Sequence, residues 1–304
     1  MSGSTVSPAP QRAATLPYIA AMLMLATLGI FVQQAGLDSV TTVFFRCAFG
    51  ALALALYCLW QGMLVRANFT AKNVGLALFS GVLMVFNWVF FFEAIRRVGI
   101  SVATIVFHVQ PFMVLLLGAL LFRERITLDK FGWISVGFGG LLLATGLPLD
   151  GLAPGSSYAI GIACTLTAAL AYSGVTLTTK SMRGMRPHLT ALIHCVVGMC
   201  ALAAWITIPA AGISPLQWGW LTGLGLLPTA LAYVLIYGAL PRLQTASIAV
   251  LTFIYPAAAV GFDFIVYGHL LRPVQVLGLA LIVVAGLGVN LNWGWRRASV
   301  VRAG

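Results

Sequence analysis

Ser101, Thr104, His108 and Pro111 stand at offsets 0, 3, 7 and 10 within an apolar run from Gly99 to Leu121. That spacing puts all four on one face of an α-helix. Two hydroxyls and an imidazole in one stripe can hydrogen-bond a polar solute or pass a proton. The proline removes a backbone N–H in mid-helix and frees a carbonyl one turn back, which adds an acceptor. The run closes on Leu121-Phe122-Arg123-Glu124. From Pro111 to Pro256, 145 residues on, the pattern returns in weaker form. There Thr252, Tyr255 and Pro256 lead to Tyr267-Gly268-His269.

What must position these groups is a membrane. The 304 residues are 61% hydrophobic and only 8% charged, where a soluble domain carries roughly 25% charged residues. One water-soluble core cannot hide so much apolar surface, so the chain reads as an all-α polytopic membrane protein. A span needs about 20 apolar residues. Ten such runs are legible, at about 16–35, 41–62, 73–94, 100–121, 131–147, 158–178, 188–210, 218–239, 245–266 and 274–293. The expected layout is a tail over 1–15, five spans over 16–147, a linker loop over 148–157, five more spans over 158–293 and a tail over 294–304. The five cysteines, Cys47, Cys58, Cys164, Cys195 and Cys200, all fall in apolar runs without metal spacing and read as small buried hydrophobes.

The net charge of +11 would suggest nucleic acid in a soluble protein. Here the basic residues lie in short loops between apolar runs and describe orientation instead. With the N-terminus inside, thirteen Lys and Arg fall on the inner side. Only Arg96, Arg97 and Arg272 fall outside, and Arg46 lies within a span. The positive-inside rule then expects both termini in the cytoplasm.

The 145-residue offset also relates Leu25-Ala26 to Leu170-Ala171, Gly29 to Gly174, Ala94 to Ala239 and Arg97 to Arg242. Each half holds an odd number of spans, so a duplicated second half enters the membrane upside down. Inverted repeats meeting at the bilayer midplane, with broken helices there, are a carrier architecture that works by alternating access.

Polar and aromatic side chains in the spans are the candidates for the transport path. They are Thr27 and Gln34 in span 1, Asn87 and Trp88 in span 3, and Thr104, His108 and Gln110 in span 4. In the second half they are Tyr172 and Thr179 in span 6, Tyr233 and Tyr237 in span 8, and Thr252 and Tyr255 in span 9. These six helices are expected to enclose one central cavity, aromatic and hydroxyl-lined with almost no fixed charge. For each aromatic the plain alternative is helix packing or a lipid-facing belt. For each hydroxyl it is a bond to the carbonyl four residues back. Pro111 and Pro256 are candidate hinges or static kinks. Glu93, near Arg46, Arg96 and Arg97, suggests an ion pair, and Asp263 an ion pair or a coupling group. A cavity of this kind expects a small amphipathic solute, such as a neutral amino acid, and the lipid bilayer as partners. No nucleic acid, cofactor or metal is expected, and the state is a monomer or weak dimer.

Three features together resemble the drug/metabolite transporter superfamily, EamA type. They are the duplicated five-span unit, the matching span ends Phe92-Glu93-Ala94-Ile95 and Tyr237-Gly238-Ala239-Leu240, and the pattern from Gln110-Pro111 to Arg123-Glu124. In the second half Pro256 plus 13 gives His269 where the family pattern has Glu. Within the superfamily the chain is most similar to bacterial aromatic amino acid exporters. The resemblance implies a ten-helix basket in the bacterial inner membrane that exports Phe, Tyr and Trp, with tolerance for Thr or Met. The alternative is export of cationic drugs or other small metabolites, although a cation site wants a deep carboxylate. An intramembrane enzyme is a poorer match. Tyr172-Ser173-Gly174 lacks the glycine a rhomboid-like serine needs at Ala171, and there is no aspartate pair, histidine box or nucleotide-binding loop.

Overall fold

A computed structural model describes residues 8–122, 128–144, 155–182, 184–291 and 293–294. Arg123 and Glu124, most of the expected linker and parts of both tails lie outside the described residues. Every regular element among them is helical. In chain order these are α1 (Pro8–Ala26), α2 (Leu28–Ala35), α3 (Ser39–Trp60), α4 (Ala71–Phe107), α5 (Gln110–Phe122) and α6 (Leu128–Ala144). The second half holds α7 (Ser157–Lys180), α8 (Pro187–Leu202), α9 (Pro215–Gly225), α10 (Ala232–Ala239), α11 (Thr245–Thr252), α12 (Ile254–Tyr267) and α13 (Pro273–Asn290). Seven helical stretches are long and apolar enough to cross a membrane. Three shorter apolar helices, Gln110–Leu121, Phe131–Ala144 and Pro273–Val289, complete ten segments.

Local sequence explains where the segments start and turn. Asp38 accepts from the Thr41 N–H at 2.9 Å and caps α3, Thr70 does the same for α4, and Ser214 with Gln217 forms a capping box on α9. Prolines 187, 215 and 273 open α8, α9 and α13, where a missing N–H costs nothing. Expected spans 3 and 4 run together as α4 and are separated by one residue. Gly99 has φ +82° and ψ +169°, a conformation open essentially to glycine alone, and it folds the chain over between two helical runs.

The packing has an internal two-fold logic. Helices at equivalent repeat positions pair with each other: α3 with α8, and α6 with α13. Other contacts occur twice with the halves exchanged. α4 lies along α7 as α1 lies along α10, and α5 meets α7 as α12 meets α1. The chain is thus two inverted five-helix repeats around a centre. α6 and α13 stand to one side and share a core of Ile134, Leu141, Ile282 and Ala285 with α5.

At the end of the bundle away from the N-terminus, polar contacts tie the two halves and adjacent helices together. Asp263 is 1% exposed, and its carboxyl accepts from both the backbone N–H and the hydroxyl of Ser101. Ser101 lies in the first turn after Gly99, so Asp263 of α12 serves as a cap supplied from the other half of the chain. His269 places Nδ1 3.0 Å from the second carboxyl oxygen. Gln34 donates to the Tyr267 hydroxyl at 3.2 Å. Glu93 accepts from Ser39 at 2.8 Å and from Arg97 at 2.6 Å, with Arg96 at 3.8 Å. Arg46 is absent from that group, which corrects the expected Arg46–Glu93 pairing: the arginine is buried deeper, at the cavity.

Two outcomes follow. Gly99→Ala will lower stability by about 1–3 kcal/mol, because alanine is strained at this φ and ψ. Gly238→Ala, on α10 with open space around the added methyl, will not. Asp263→Ala leaves the buried Ser101 groups without their acceptor and will cost about 1–3 kcal/mol. Thermal unfolding of purified protein in detergent measures all three.

Candidate functional site

Four spans that should run unbroken are interrupted at mid-depth, three of them next to a proline. Pro111 cannot donate to the carbonyl of Phe107, and α4 stops at Phe107. Pro256 cannot donate to the carbonyl of Thr252, and α11 stops at Thr252. His108 and Phe253, the first residues past each stop, are 145 apart and occupy equivalent repeat positions. In the eighth span Pro228 lies in a π-helical turn, Leu226–Leu231, between α9 and α10. The first span breaks at Thr27, whose hydroxyl donates to the Met24 carbonyl at 2.7 Å.

These breaks surround a cavity of about 590 Å³, within the range of roughly 300–1,000 Å³ for small-molecule sites. Tyr18, Met22, Leu25 and Leu28 enter from the first span, and Arg46 from α3. Asn87, Trp88, Phe91, Phe107 and His108 come from α4 and its end, and Gln110, Pro111 and Val114 from α5. The second half adds Tyr172 and Thr176 of α7, Tyr233, Ile236, Tyr237 and Leu240 around α10, and Ile248, Thr252, Phe253 and Tyr255 of the ninth span. Most of this lining belongs to the helix halves nearer the N-terminal end of the bundle, opposite the polar ties. None of it comes from α6, α8 or α13.

The aromatic side chains form connected walls. Phe107 bridges Phe91 and Tyr172 at ring-centroid distances of 4.9 and 5.9 Å. Tyr233 and Tyr237 stand 5.8 Å apart, and His108 lies 5.4 Å from Tyr255. The polar groups are few and oriented. His108 donates Nδ1–H to the Thr104 carbonyl at 2.7 Å. That bond fixes the tautomer and leaves Nε2 as an acceptor. Asn87 donates Nδ2–H to the Ala168 carbonyl at 2.9 Å, which leaves its carboxamide oxygen. Tyr18 OH and Thr252 Oγ1 lie 2.9 Å apart.

Arg46 is the fixed charge of the site, where the sequence suggested almost none. It is 2% exposed. Its Nε donates to Thr229 Oγ1 at 2.8 Å, and Thr229 in turn donates to the Leu224 carbonyl from inside the π-turn. The guanidinium carbon lies 4.6 Å from the Trp88 ring centroid and 5.4 Å from that of Phe92. Close approach of α3 and α9 sets its depth. A Cβ on Gly225 would stand 3.0 Å from the Gly50 nitrogen and 3.1 Å from the Arg46 carbonyl.

Of the residues picked from sequence, Asn87, Trp88, His108, Gln110, Pro111, Tyr172, Tyr233, Tyr237, Thr252, Tyr255 and Arg46 meet at this cavity. Thr27, Gln34, Thr104, Thr179, Pro256, Glu93 and Asp263 do not line it. Thr179 donates to the Val175 carbonyl at 2.8 Å, the carbonyl four residues back. Thr104 is buried, and its carbonyl accepts from His108. Tyr18, Phe91, Phe107, Thr176 and Phe253 were missed. Phe253 had a signal, since it is the repeat counterpart of His108. Among the described residues no group of His, Cys, Asp and Glu has the arrangement of a metal site. Cys47, Cys58, Cys164 and Cys195 are buried and Cys200 is exposed.

Comparison with known proteins places this architecture. An uncharacterised transporter of Bacillus subtilis, YxxF, is 28% identical over 301 residues, covering 99% of this chain and 96% of the relative. The pseudopaline exporter CntI of Pseudomonas aeruginosa PAO1 is 24% identical over 289 residues, with 92% and 96% covered. The threonine/homoserine exporter RhtA of Escherichia coli K12 is 28% identical over 263 residues, with 81% and 80% covered. One solved crystal structure shares the fold at a TM-score of 0.66 and 18% identity, covering 94% of this chain and all of its own. The EamA-like transporter family matches twice, over residues 14–146 and 159–291, and the chain belongs to it: a multi-pass membrane transporter.

Proposed function

We propose that this transporter exports neutral amino acids with aromatic side chains, and in lesser degree threonine and methionine, by alternating access. The observation that carries the reading is the lining of the cavity. Rings from both halves wall it, the polar groups are neutral acceptors and donors apart from Arg46, and no carboxylate lines it among the described residues. An indole or phenyl ring finds edge and face contacts there with Phe107, Tyr172 and Tyr233. An ammonium group finds His108 Nε2 and the Asn87 carboxamide oxygen. The names of RhtA and CntI, both exporters of small metabolites, support the direction of transport. Against the cationic-drug alternative stands Arg46, which repels a cation at the depth where a carboxylate would be needed. The proposed setting is the bacterial inner membrane with both termini cytoplasmic, as the loop charges suggest. The proposed units are the repeats at 16–147 and 158–293.

The test is uptake of labelled tryptophan into liposomes holding the purified protein, with phenylalanine, threonine, choline and a lipophilic cation as competitors. Saturable uptake blocked by phenylalanine and insensitive to both cations is expected. Tyr233→Ala removes one wall of the cavity. An aromatic contact contributes about 0.5–1.5 kcal/mol beyond its buried area, so half-saturation will rise roughly two- to tenfold while the protein remains folded. Competition by the cations alone would sink the amino acid reading.

A further inference from the structure

We infer that Arg46 is the anchor for a carboxylate on the transported solute, so that the substrate class is acids and zwitterions bearing a free carboxylate. The inference deepens the reading above, and it rests on that reading only for the location of the path. A guanidinium stays charged at any physiological pH, and its burial is costly unless an anion or a full set of acceptors meets it. Arg46 is almost fully buried and lines the cavity, yet it has no acidic partner among the described residues. The nearby acids are committed elsewhere. Glu93 holds Arg96 and Arg97, Asp263 holds Ser101 and His269, and Asp38 caps α3.

What Arg46 does have is one neutral acceptor and two rings. Nε is occupied by Thr229, and Trp88 and Phe92 lie against the guanidinium. Nη1 is buried with no hydrogen-bond partner. An arginine retained only for structure would have its remaining donors satisfied, because buried donors without partners are rare and costly. With Nε committed, the donors left on the fork are those of the Nη groups, which suit the two oxygens of a carboxylate; Nη1 is enclosed here, so a two-point grip requires the side chain to turn as the solute enters. The aromatic contacts hold the charge in place without neutralising it. Thr229 is a positioning residue: it acts through Nε, and the π-turn puts it there. Asn87 and Trp88 line the same cavity. A solute anchored by its carboxylate at Arg46 therefore has its other substituents among the acceptors and rings already described.

The experiment compares acids with their amides. Wild-type protein in liposomes takes up labelled tryptophan against tryptophan, tryptophanamide, threonine and threoninamide as competitors. Each amide keeps the ammonium and side chain of its acid and lacks the carboxylate. The acids should compete at least tenfold better than their amides. Arg46→Gln should lose that preference, with acid and amide within about twofold, while Arg46→Lys keeps part of it and Thr229→Val weakens it. Binding by each purified variant, followed through ligand-induced thermal shift, separates loss of the anchor from loss of the fold. If Arg46→Gln does not fold, the wild-type and Arg46→Lys comparisons still decide. Equal competition by acid and amide in the wild type overturns the anchor, as does an acid preference that survives Arg46→Gln. The two readings fail separately. An acid preference without any aromatic preference keeps the anchor and sinks the aromatic reading. An aromatic preference shared by tryptophanamide does the reverse. No competition by either acid sinks both.

Discussion

The constraint on which this structure depends is that hydrocarbon offers no hydrogen bonds to a backbone. Every interruption of a spanning helix must therefore be repaired on the spot. The breaks show how. At Thr27 the hydroxyl takes the Met24 carbonyl, and at the end of α11 Thr252 takes that of Ile248. At the end of α4 the imidazole of His108 takes the Thr104 carbonyl, because the His108 N–H has turned to Ile105. In the π-turn Thr229 reaches back to Leu224. Three of these side chains, Thr27, His108 and Thr252, are ones the sequence already marked as out of place in a membrane span. The breaks are what open a cavity in an otherwise close-packed bundle, so the repair chemistry and the site chemistry share residues.

The second constraint is charge. Of the acids among the described residues, Glu93 and Asp263 are spent on helix ends and ties at one end of the bundle. Among the described residues the basic groups of the loops stay at the surfaces and Arg46 alone is carried into the interior, where the structure goes to some length to hold it. Gly50 and Gly225 let α3 and α9 approach, the π-turn aims Thr229, and Trp88 presents a ring face. None of these features provides an opposite charge. That combination of careful placement and missing neutralisation distinguishes a binding cation from a structural one.

Much of the architecture was legible in the sequence because apolar length, loop charge and a fixed repeat offset are one-dimensional properties. The ten segments and the prolines at equivalent positions needed no knowledge of contacts, whereas the turn at Gly99 became visible only in the backbone. The aromatic character of the cavity was legible too, since Trp88, Tyr172, Tyr233 and Tyr255 each stand on a span expected to enclose the centre. What sequence left open was depth and partner. Arg46 was grouped with Glu93 because both lie toward the same end of their spans. Packing turned Glu93 to the helix-end arginines and Arg46 to the centre. A lone arginine inside an apolar span is by default a functional candidate, and that rule would have separated the two. Thr27 and Thr179 illustrate the opposite error. A hydroxyl on the right face of a span still prefers its own backbone carbonyl when one is within reach.

On the alternating-access reading, the two-fold relation between the halves carries one more consequence. Inverted repeats can exchange conformations, so that the contacts closing one end of the bundle are remade by their repeat counterparts at the other. Here the closing contacts do not have matching counterparts. Across the 145-residue offset Asp263 corresponds to Gly118, Ser101 to Ala246, Gln34 to Thr179 and Tyr267 to Phe122. The Asp263–Ser101 and Gln34–Tyr267 bonds that tie the end away from the N-terminus cannot form at the other end, where glycine, alanine and phenylalanine stand. On that reading an exchanged state would form without these two bonds, so the two conformations would differ in their polar contacts even though the folds of the halves are alike. A solute that bridges Arg46 and the acceptors across the cavity would give that state polar contacts of its own.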